Sequence, residues 1–336
     1  MEKAPMDLAI SYLGLRLDSP LVVGASPLAD DLDDVRRLED AGASCIVLRS
    51  LFEEQITREK YGTVYSLEIG DPADTEIISC FPKVHEFVLG PDEYLEHIRR
   101  IKETVGIPVI GSLNGINVGR WLEYGNLIEA AGADALELNV FFLATDPHET
   151  PIAVEKRTTD LARALKRRLH IPLAVKLSPF YSSLIHLARE LEASGVDGLV
   201  LFNRFYQPLA GARSGPAAAP VRLSDSSELP LRLRFSKILS GTLKGADLAV
   251  SGGVHTSVDV IRSVIAGASA VQVVSALLEN GPQYLRVLRE GMESLLARKG
   301  YRSLDELKAS LCADPFPDPQ AHSRASYMQL LQRWSA

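Results

Sequence analysis

Four stretches of this chain share one grammar, and that repetition constrains the fold more than any single motif. They are LEDAGASCIVLRS (38–50), IEAAGADALELNV (128–140), LEASGVDGLVLFN (191–203) and IAGASAVQVVS (265–275). Each closes an amphipathic stretch on small residues and a glycine (Gly42, Gly132, Gly195, Gly267), then enters an apolar run closed by a polar residue. A glycine that takes the left-handed conformation ends a helix. An apolar run that barely alternates is a strand buried on both faces. The repeat is therefore the helix-to-strand half of an α/β unit.

Four further strands fit between these: LVVGAS (21–26), PVIGSLN (108–114), LAVKLS (173–178) and DLAVSGG (247–253). Tyr94, Ile98, Ile101 and Val105 recur at helical steps, and Val258, Ile261, Val264 and Ile265 predict a second apolar helix face before the last strand. Eight strands alternating with helices predict a closed (β/α)8 TIM barrel. A dinucleotide-binding open sheet would place GxGxxG after its first strand, where GASPLAD stands instead. The barrel accounts for residues 1–311, with 312–336 as a patternless C-terminal tail. Residues 7–20 read as an N-terminal hairpin turning at Leu13–Gly14, placed to plug the N-terminal mouth. A helix is expected from Tyr284 to about Lys299. Segments 51–91 and 207–230 are insertions after strands two and six, at the catalytic face; the second has a mobile Ala, Pro, Ser and Gly composition.

Composition narrows the function classes. The three cysteines (Cys45, Cys80, Cys312) contain no CxxC pair, which argues against structural zinc and a cysteine-ligated iron–sulfur cluster, and for a reducing compartment. A net charge of −7 provides no broad basic field for nucleic acid. No apolar run approaches membrane-spanning length, and MEKAPMDLAI lacks the form of a signal. A cytoplasmic location follows as an expectation.

Strand ends give the candidate chemistry: Ser26, Arg49, Ser50, Asn114, Asn139, Lys176, Asn203, Ser251-Gly252-Gly253 and Ser275. Lys176 is the sharpest of these. An ammonium inside a buried strand needs an anion or an electron-rich partner. The SGG turn after strand seven and the end of strand eight, Val274 and Ser275, form the usual phosphate cradle of barrels.

Over nearly its whole length the chain resembles the dihydroorotate dehydrogenase family. Gly24-Ala25-Ser26-Pro27 stands at that family's N-A-S-G. Glu137-Leu138-Asn139 matches the start of E-L-N-x-S-C-P-N, and Val175-Lys176-Leu177-Ser178-Pro179 matches V-K-L-x-P. Asn203 closes strand six, Gly252-Gly253-Val254 matches G-G-I, and Val271-Gln272-Val273-Val274-Ser275-Ala276 matches V-Q-x-G-T-A.

The resemblance implies FMN at the C-terminal mouth. Its phosphate would lie at Ser251, Gly252, Gly253, Val274 and Ser275, and Lys176 near N1 and the C2 carbonyl. Ala25, Ser26 and Ser50 would line the ring, Arg49 would also bind the cofactor, and Asn139 and Asn203 would hydrogen-bond flavin or a planar amide-bearing substrate. It also implies a small-molecule substrate, an electron-transfer protein as partner and a homodimer. Lys176, Arg49, Asn139 and Asn203 are the expected catalytic set.

Departures from the pattern are as informative. Phe142 stands where the family's cysteine or serine base would be, and Ala144 replaces its substrate-holding asparagine. Arg49 takes the place of a lysine. The expectation is a flavin oxidoreductase acting on the CH–CH or C=C bond of another small planar substrate. Tyr65, Cys80, His85, Thr145, Asp146 and Tyr206 are the candidates for a replacement acid. Three alternatives stay open: dihydroorotate oxidation with a relocated base, a Schiff-base lysine enzyme acting on a phosphosugar, and a non-catalytic subunit docked on an electron-transfer partner.

Overall fold

The structure is a computed structural model that describes residues 6–60, 89–204, 222–310 and 319–333. Eight parallel strands close on themselves: β3 (Leu21–Val23), β4 (Cys45–Val47), β6 (Val109–Asn114), β7 (Ala135–Asn139), β8 (Leu173–Leu177), β9 (Gly198–Leu201), β10 (Asp247–Ser251) and β11 (Ala270–Val273). Each pairs with the next, β4 pairs with β6, and β11 returns to β3 with Val271 opposite Leu21. This is the (β/α)8 barrel expected from the repeat. The repeat glycines carry the anticipated positive φ, from +89° at Gly195 to +104° at Gly267.

The first two strands, β1 (Ile10–Tyr12) and β2 (Leu15–Leu17), form the expected hairpin. Its two turn residues, Leu13 and Gly14, both have positive φ (53° and 71°), the handedness that a two-residue connection between twisted strands requires. Leu13 is only 2% exposed, so this hairpin tip is a plug and not a solvent turn. A Cβ on Gly198 would lie 2.6 Å from Leu13 Cδ2, which is why β9 opens on a residue without a side chain. The Leu13 N–H donates to Asp247 Oδ2 at 2.7 Å, fixing the plug to the first residue of β10.

Strand alternation divides the side chains between two cores. Leu136, Leu138, Val175, Leu199, Val250 and Val271 face outward into the large cluster under the helices. Val22, Cys45, Ile110, Ala135, Ala174, Val200, Ala249 and Ala270 face inward and pack with Ile10, Tyr12 and Leu17 of the plug. The next inward positions toward the C-terminal ends are Ser112, Asn114, Glu137, Asn139, Lys176, Ser251 and Gln272. The barrel interior is thus apolar at its plugged end and polar at its open one.

Outer helices follow their caps. Between Gly90 and Val105, α3 (Pro91–Thr104) starts on proline and buries Tyr94, Ile98 and Ile101 as expected; α1 (Leu32–Asp40) and α2 (Glu53–Lys60) precede it in the chain. Next come α4 (Glu123–Ala130), α5 (Pro151–Lys166), α6 (Leu184–Ala193), α7 (Leu229–Ser240) and α8 (Ser257–Ile265). After β11 follow α9 (Ser275–Asn280), α10 (Tyr284–Lys299), which matches the expected span, α11 (Leu304–Ser310) and α12 (Pro319–Arg333).

Two expectations need correction, and the described ends of the two insertions add detail. Of the expected α8 face Val264 is buried, but Val258 and Ile265 are exposed, because the inner face runs through Asp259, Val260, Ser263 and Val264 and includes polar residues that apolar spacing does not register. The tail is not patternless throughout, since Pro319 opens the helix α12, whose residues from Arg324 to Arg333 are exposed. Its helix formers carry no single apolar stripe, so periodicity did not reveal it. The 51–91 insertion begins with a short strand, β5 (Leu51–Phe52), that pairs with the end of β6, and continues as α2. The described end of the 207–230 insertion, from residue 222, is an anchored segment, described below. Residues 61–88 and 205–221, with most of both insertions, lie outside the described residues. Among the described residues no helix is long and apolar enough to cross a membrane.

Candidate active site

The polar end of the barrel is organised around Lys176. Its position on β8 shares the inward face of Ala174, so its side chain sits on the barrel axis with only 6% of the residue exposed. The ammonium donates to Glu137 Oε1 at 3.2 Å and to Gln272 Oε1 at 2.9 Å. Gln272 Nε2 in turn donates to Glu137 Oε2. The three side chains form a closed ring, with Glu137 and Gln272 each 1% exposed. The partner expected for a buried lysine is therefore supplied by the protein itself. Neither Glu137 nor Gln272 was assigned a role from sequence. The signal was present: both are polar residues at inward positions of buried strands, subject to the same burial cost as Lys176.

On one side of this ring stand the two asparagines. Asn203 Nδ2 donates to Asn139 Oδ1 at 2.5 Å, bringing together two residues 64 positions apart. This leaves the Asn139 amide N–H groups and the Asn203 carbonyl as the complementary pair an amide-bearing ring can meet. On the opposite side, Ala25 packs against the inward cluster. Next to it the Ser26 hydroxyl is buried and has no hydrogen-bond partner. The residue heads the turn Pro27–Ala29 without capping it. Ser50 Oγ lies 2.7 Å from Ser112 Oγ, and the Ser112 backbone N–H donates to Tyr94 Oη at 2.9 Å.

Arg49 is placed differently from the others. Its guanidinium makes a two-pronged contact with Asp30, with Nε 3.2 Å from Oδ1, and its side chain is 41% exposed. It stands at the rim, tied to the β3–α1 connection.

The ends of β10 and β11 gather donors. Ser275 Oγ accepts from the Ser224 N–H at 3.1 Å and from the Ser224 hydroxyl at 2.9 Å. The Gly253 N–H donates to Ser224 Oγ at 3.3 Å, and His255 Nε2 lies 3.4 Å from the same oxygen. Ser224 belongs to the anchored end of the second insertion and is 3% exposed; the sequence reading missed it. Gly253, at φ +76°, is required here, since a Cβ would lie 2.6 Å from the Leu229 backbone nitrogen at the start of α7. Behind Gly252 the Arg232 guanidinium is buried, donating to the Ser251 and Glu228 carbonyls; burial lowers its pKa. Val274 turns its Cγ2 onto Gly24, 2.7 Å from where a Cβ there would stand, so it packs across the β11–β3 seam.

The loop after β7 holds the main departures. The Arg157 guanidinium carbon lies 4.2 Å from the centroid of the Phe142 ring, and Arg157 also pairs with Glu149. Phe142 is thus a stacking surface and has no proton to transfer. Thr145 and Asp146 are exposed, and Asp146 Oδ1 accepts from the His148 N–H within its own turn. Tyr65, Cys80, His85 and Tyr206 lie outside the described residues. Among the described residues no cluster of His, Cys, Asp and Glu is suited to a metal ion.

No protein-family model matches the chain. Individual relatives do. The catalytic subunit of dihydroorotate dehydrogenase B (NAD(+)) from Thermoplasma acidophilum is 27% identical, over 90% of this chain and 97% of its own length. The same subunit from Methanosarcina mazei is 26% identical over 91% of the chain and 98% of its own. The NAD-dependent dihydropyrimidine dehydrogenase subunit PreA of Escherichia coli is 24% identical over 90% of the chain and 76% of its own. With the barrel and its plug in the same chain, these matches over about nine-tenths of it make the chain similar to dihydroorotate dehydrogenases and to a dihydropyrimidine dehydrogenase subunit.

Proposed function

We propose that the protein is an FMN-dependent oxidoreductase that acts on the CH–CH or C=C bond of a small planar, amide-bearing substrate of the pyrimidine class. The observation that carries this reading is a buried, charge-balanced lysine at the open end of a plugged barrel, flanked by an asparagine pair and a cluster of serine and backbone N–H donors. The relatives bear on the same chemistry, since their names give dihydroorotate and dihydropyrimidines as what they act on.

The residues fit a flavin mononucleotide. The Gly253 N–H, the Ser224 N–H and hydroxyl, and the Ser275 hydroxyl form a neutral donor set of the kind that cradles a phosphate. Their contacts with one another stand where contacts with phosphate oxygens would replace them. The orphaned Ser26 hydroxyl supports a polar ligand edge beside Ala25, because a buried hydroxyl without a partner is costly. Val274 stands where the family's pattern has glycine, so on this reading its backbone, and not its side chain, serves the cradle.

When bound, FMN would supply hydride transfer to or from the substrate. Lys176 would hold a fixed positive charge where the reduced ring collects negative charge. Asn139 and Asn203 would orient the substrate's amide edge. Phe142 and Arg157 would close the side where the family's base stands, so any proton must come from another group. A Schiff-base role for Lys176 is disfavoured by its contacts, which engage the side-chain nitrogen with Glu137 and Gln272. The relatives are named as subunits, which supports an electron-transfer partner chain.

The test is anaerobic titration of the FMN-loaded protein with dihydroorotate and with 5,6-dihydrouracil, following the flavin band. Bleaching by a dihydropyrimidine at a rate that exceeds buffer controls is the expected result. Flavin that responds to neither compound, nor when reduced to orotate or uracil, would remove the pyrimidine class from the proposal.

A further inference from the structure

Deepening the flavin reading on which it rests, we infer that Glu137 is a positioning residue that sets the reduction potential of the bound cofactor by neutralising Lys176 from inside the barrel. An ammonium has three N–H bonds. Two are spent within the ring, on Glu137 and on Gln272, leaving one for a ligand. The orientation of the Gln272 amide is fixed by its neighbours: its oxygen faces the ammonium and its nitrogen faces the carboxylate. The reverse orientation would set donor against donor and acceptor against acceptor. Both of Glu137's oxygens are engaged, so the carboxylate cannot swing away from Lys176.

Charge decides the consequence. Glu137 is 1% exposed, and its negative charge acts on groups beyond the ring. It contributes to raising the phenols of Tyr12 and Tyr94 and the thiol of Cys45, for which burial is the larger cause. With Lys176 paired to it, the barrel axis is close to neutral on balance. A lone lysine would present an uncompensated charge and hold a reduced, anionic cofactor more tightly. Glu137 limits that preference, so the cofactor can be oxidised again after each turnover. Gln272 holds the geometry of the pair and carries no charge of its own.

The experiment measures the two-electron reduction potential of FMN bound to the full-length protein, and the dissociation constant of oxidised FMN, for wild type and three variants. Glu137→Gln keeps the shape and removes the charge. It is expected to favour reduced over oxidised FMN by at least tenfold more than wild type, a rise of about 30 mV for a two-electron couple. Gln272→Met loosens the ring but keeps the charge, and is expected to shift this ratio by less than threefold. Glu137→Asp draws the carboxylate back while keeping its charge, gives a rise smaller than that of Glu137→Gln, and carries the test should the latter not fold. Equal shifts in Glu137→Gln and Gln272→Met would reduce Glu137 to a structural role and overturn the inference. So would a potential in Glu137→Gln, or in Glu137→Asp if it stands alone, no higher than wild type. Wild-type protein that takes up no FMN would overturn the flavin reading itself, which separates the two failures.

Discussion

Single side chains at the open end of the barrel carry opposite obligations. Lys176 and Glu137 satisfy each other, whereas the Ser26 hydroxyl is buried with no partner. Lys176→Met would leave a buried carboxylate uncompensated, and is expected to cost about 3–5 kcal/mol in urea unfolding. Adding Glu137→Leu should recover part of that loss, although each change alone destabilises. Ser26→Ala should behave in the reverse manner. It relieves an unsatisfied group, so the cofactor-free protein should unfold at equal or higher denaturant, while FMN binding weakens severalfold. A fall in cofactor-free stability would show that Ser26 serves the fold instead. The lysine was legible in the sequence because a charge inside an apolar run demands an explanation. Its partners were less so: Glu137 and Gln272 lie 39 and 96 positions away, and only the closed barrel brings them to one axis.

At the scale of elements, short polar ties fix a helix to the turn that leads into the strand after next, as from Glu39 to Gly106, Glu129 to His170 and Glu192 to Gly245. The clearest is Glu192 near the end of α6, whose Oε1 accepts from the Lys244, Gly245 and Ala246 N–H groups at 2.8, 2.8 and 3.0 Å. Partial burial pushes its pKa up, but the three donors outweigh that and hold it below the ordinary glutamate value. A carboxyl lowered on folding contributes stability above its unfolded pKa and loses it as pH falls through the folded one. Glu192→Gln is therefore expected to destabilise by about 1 kcal/mol at pH 7, allowing for solvent screening, with the two unfolding curves converging in acid. A gap that persists at low pH would assign the effect to shape and not to charge. Elements were legible where periodicity and a glycine stop coincide, as at Gly42 and Gly195. They were misread in α8 and α12, where the spacing of apolar residues did not identify the buried face, or the lack of one.

Across the whole molecule the barrel has one apolar end and one polar end. The plug residues Tyr12, Leu13 and Leu17 seal the first with small inward side chains such as Ala174 and Ala249, and the second gathers Glu137, Asn139, Lys176 and Gln272. Order and spacing of strand-end motifs made this plan readable. The anchoring of Ser224 over Ser275 was not, because it lies at the end of an insertion whose composition suggested only a loop. The plan implies one occupant for the polar end, and the direct test is to purify the protein without added cofactor, record its visible absorption, and identify any released chromophore by chromatography. Yellow protein carrying close to one FMN per chain, or colourless protein that binds added FMN to the same stoichiometry, is the expected result. Colourless protein that refuses added FMN would contradict it.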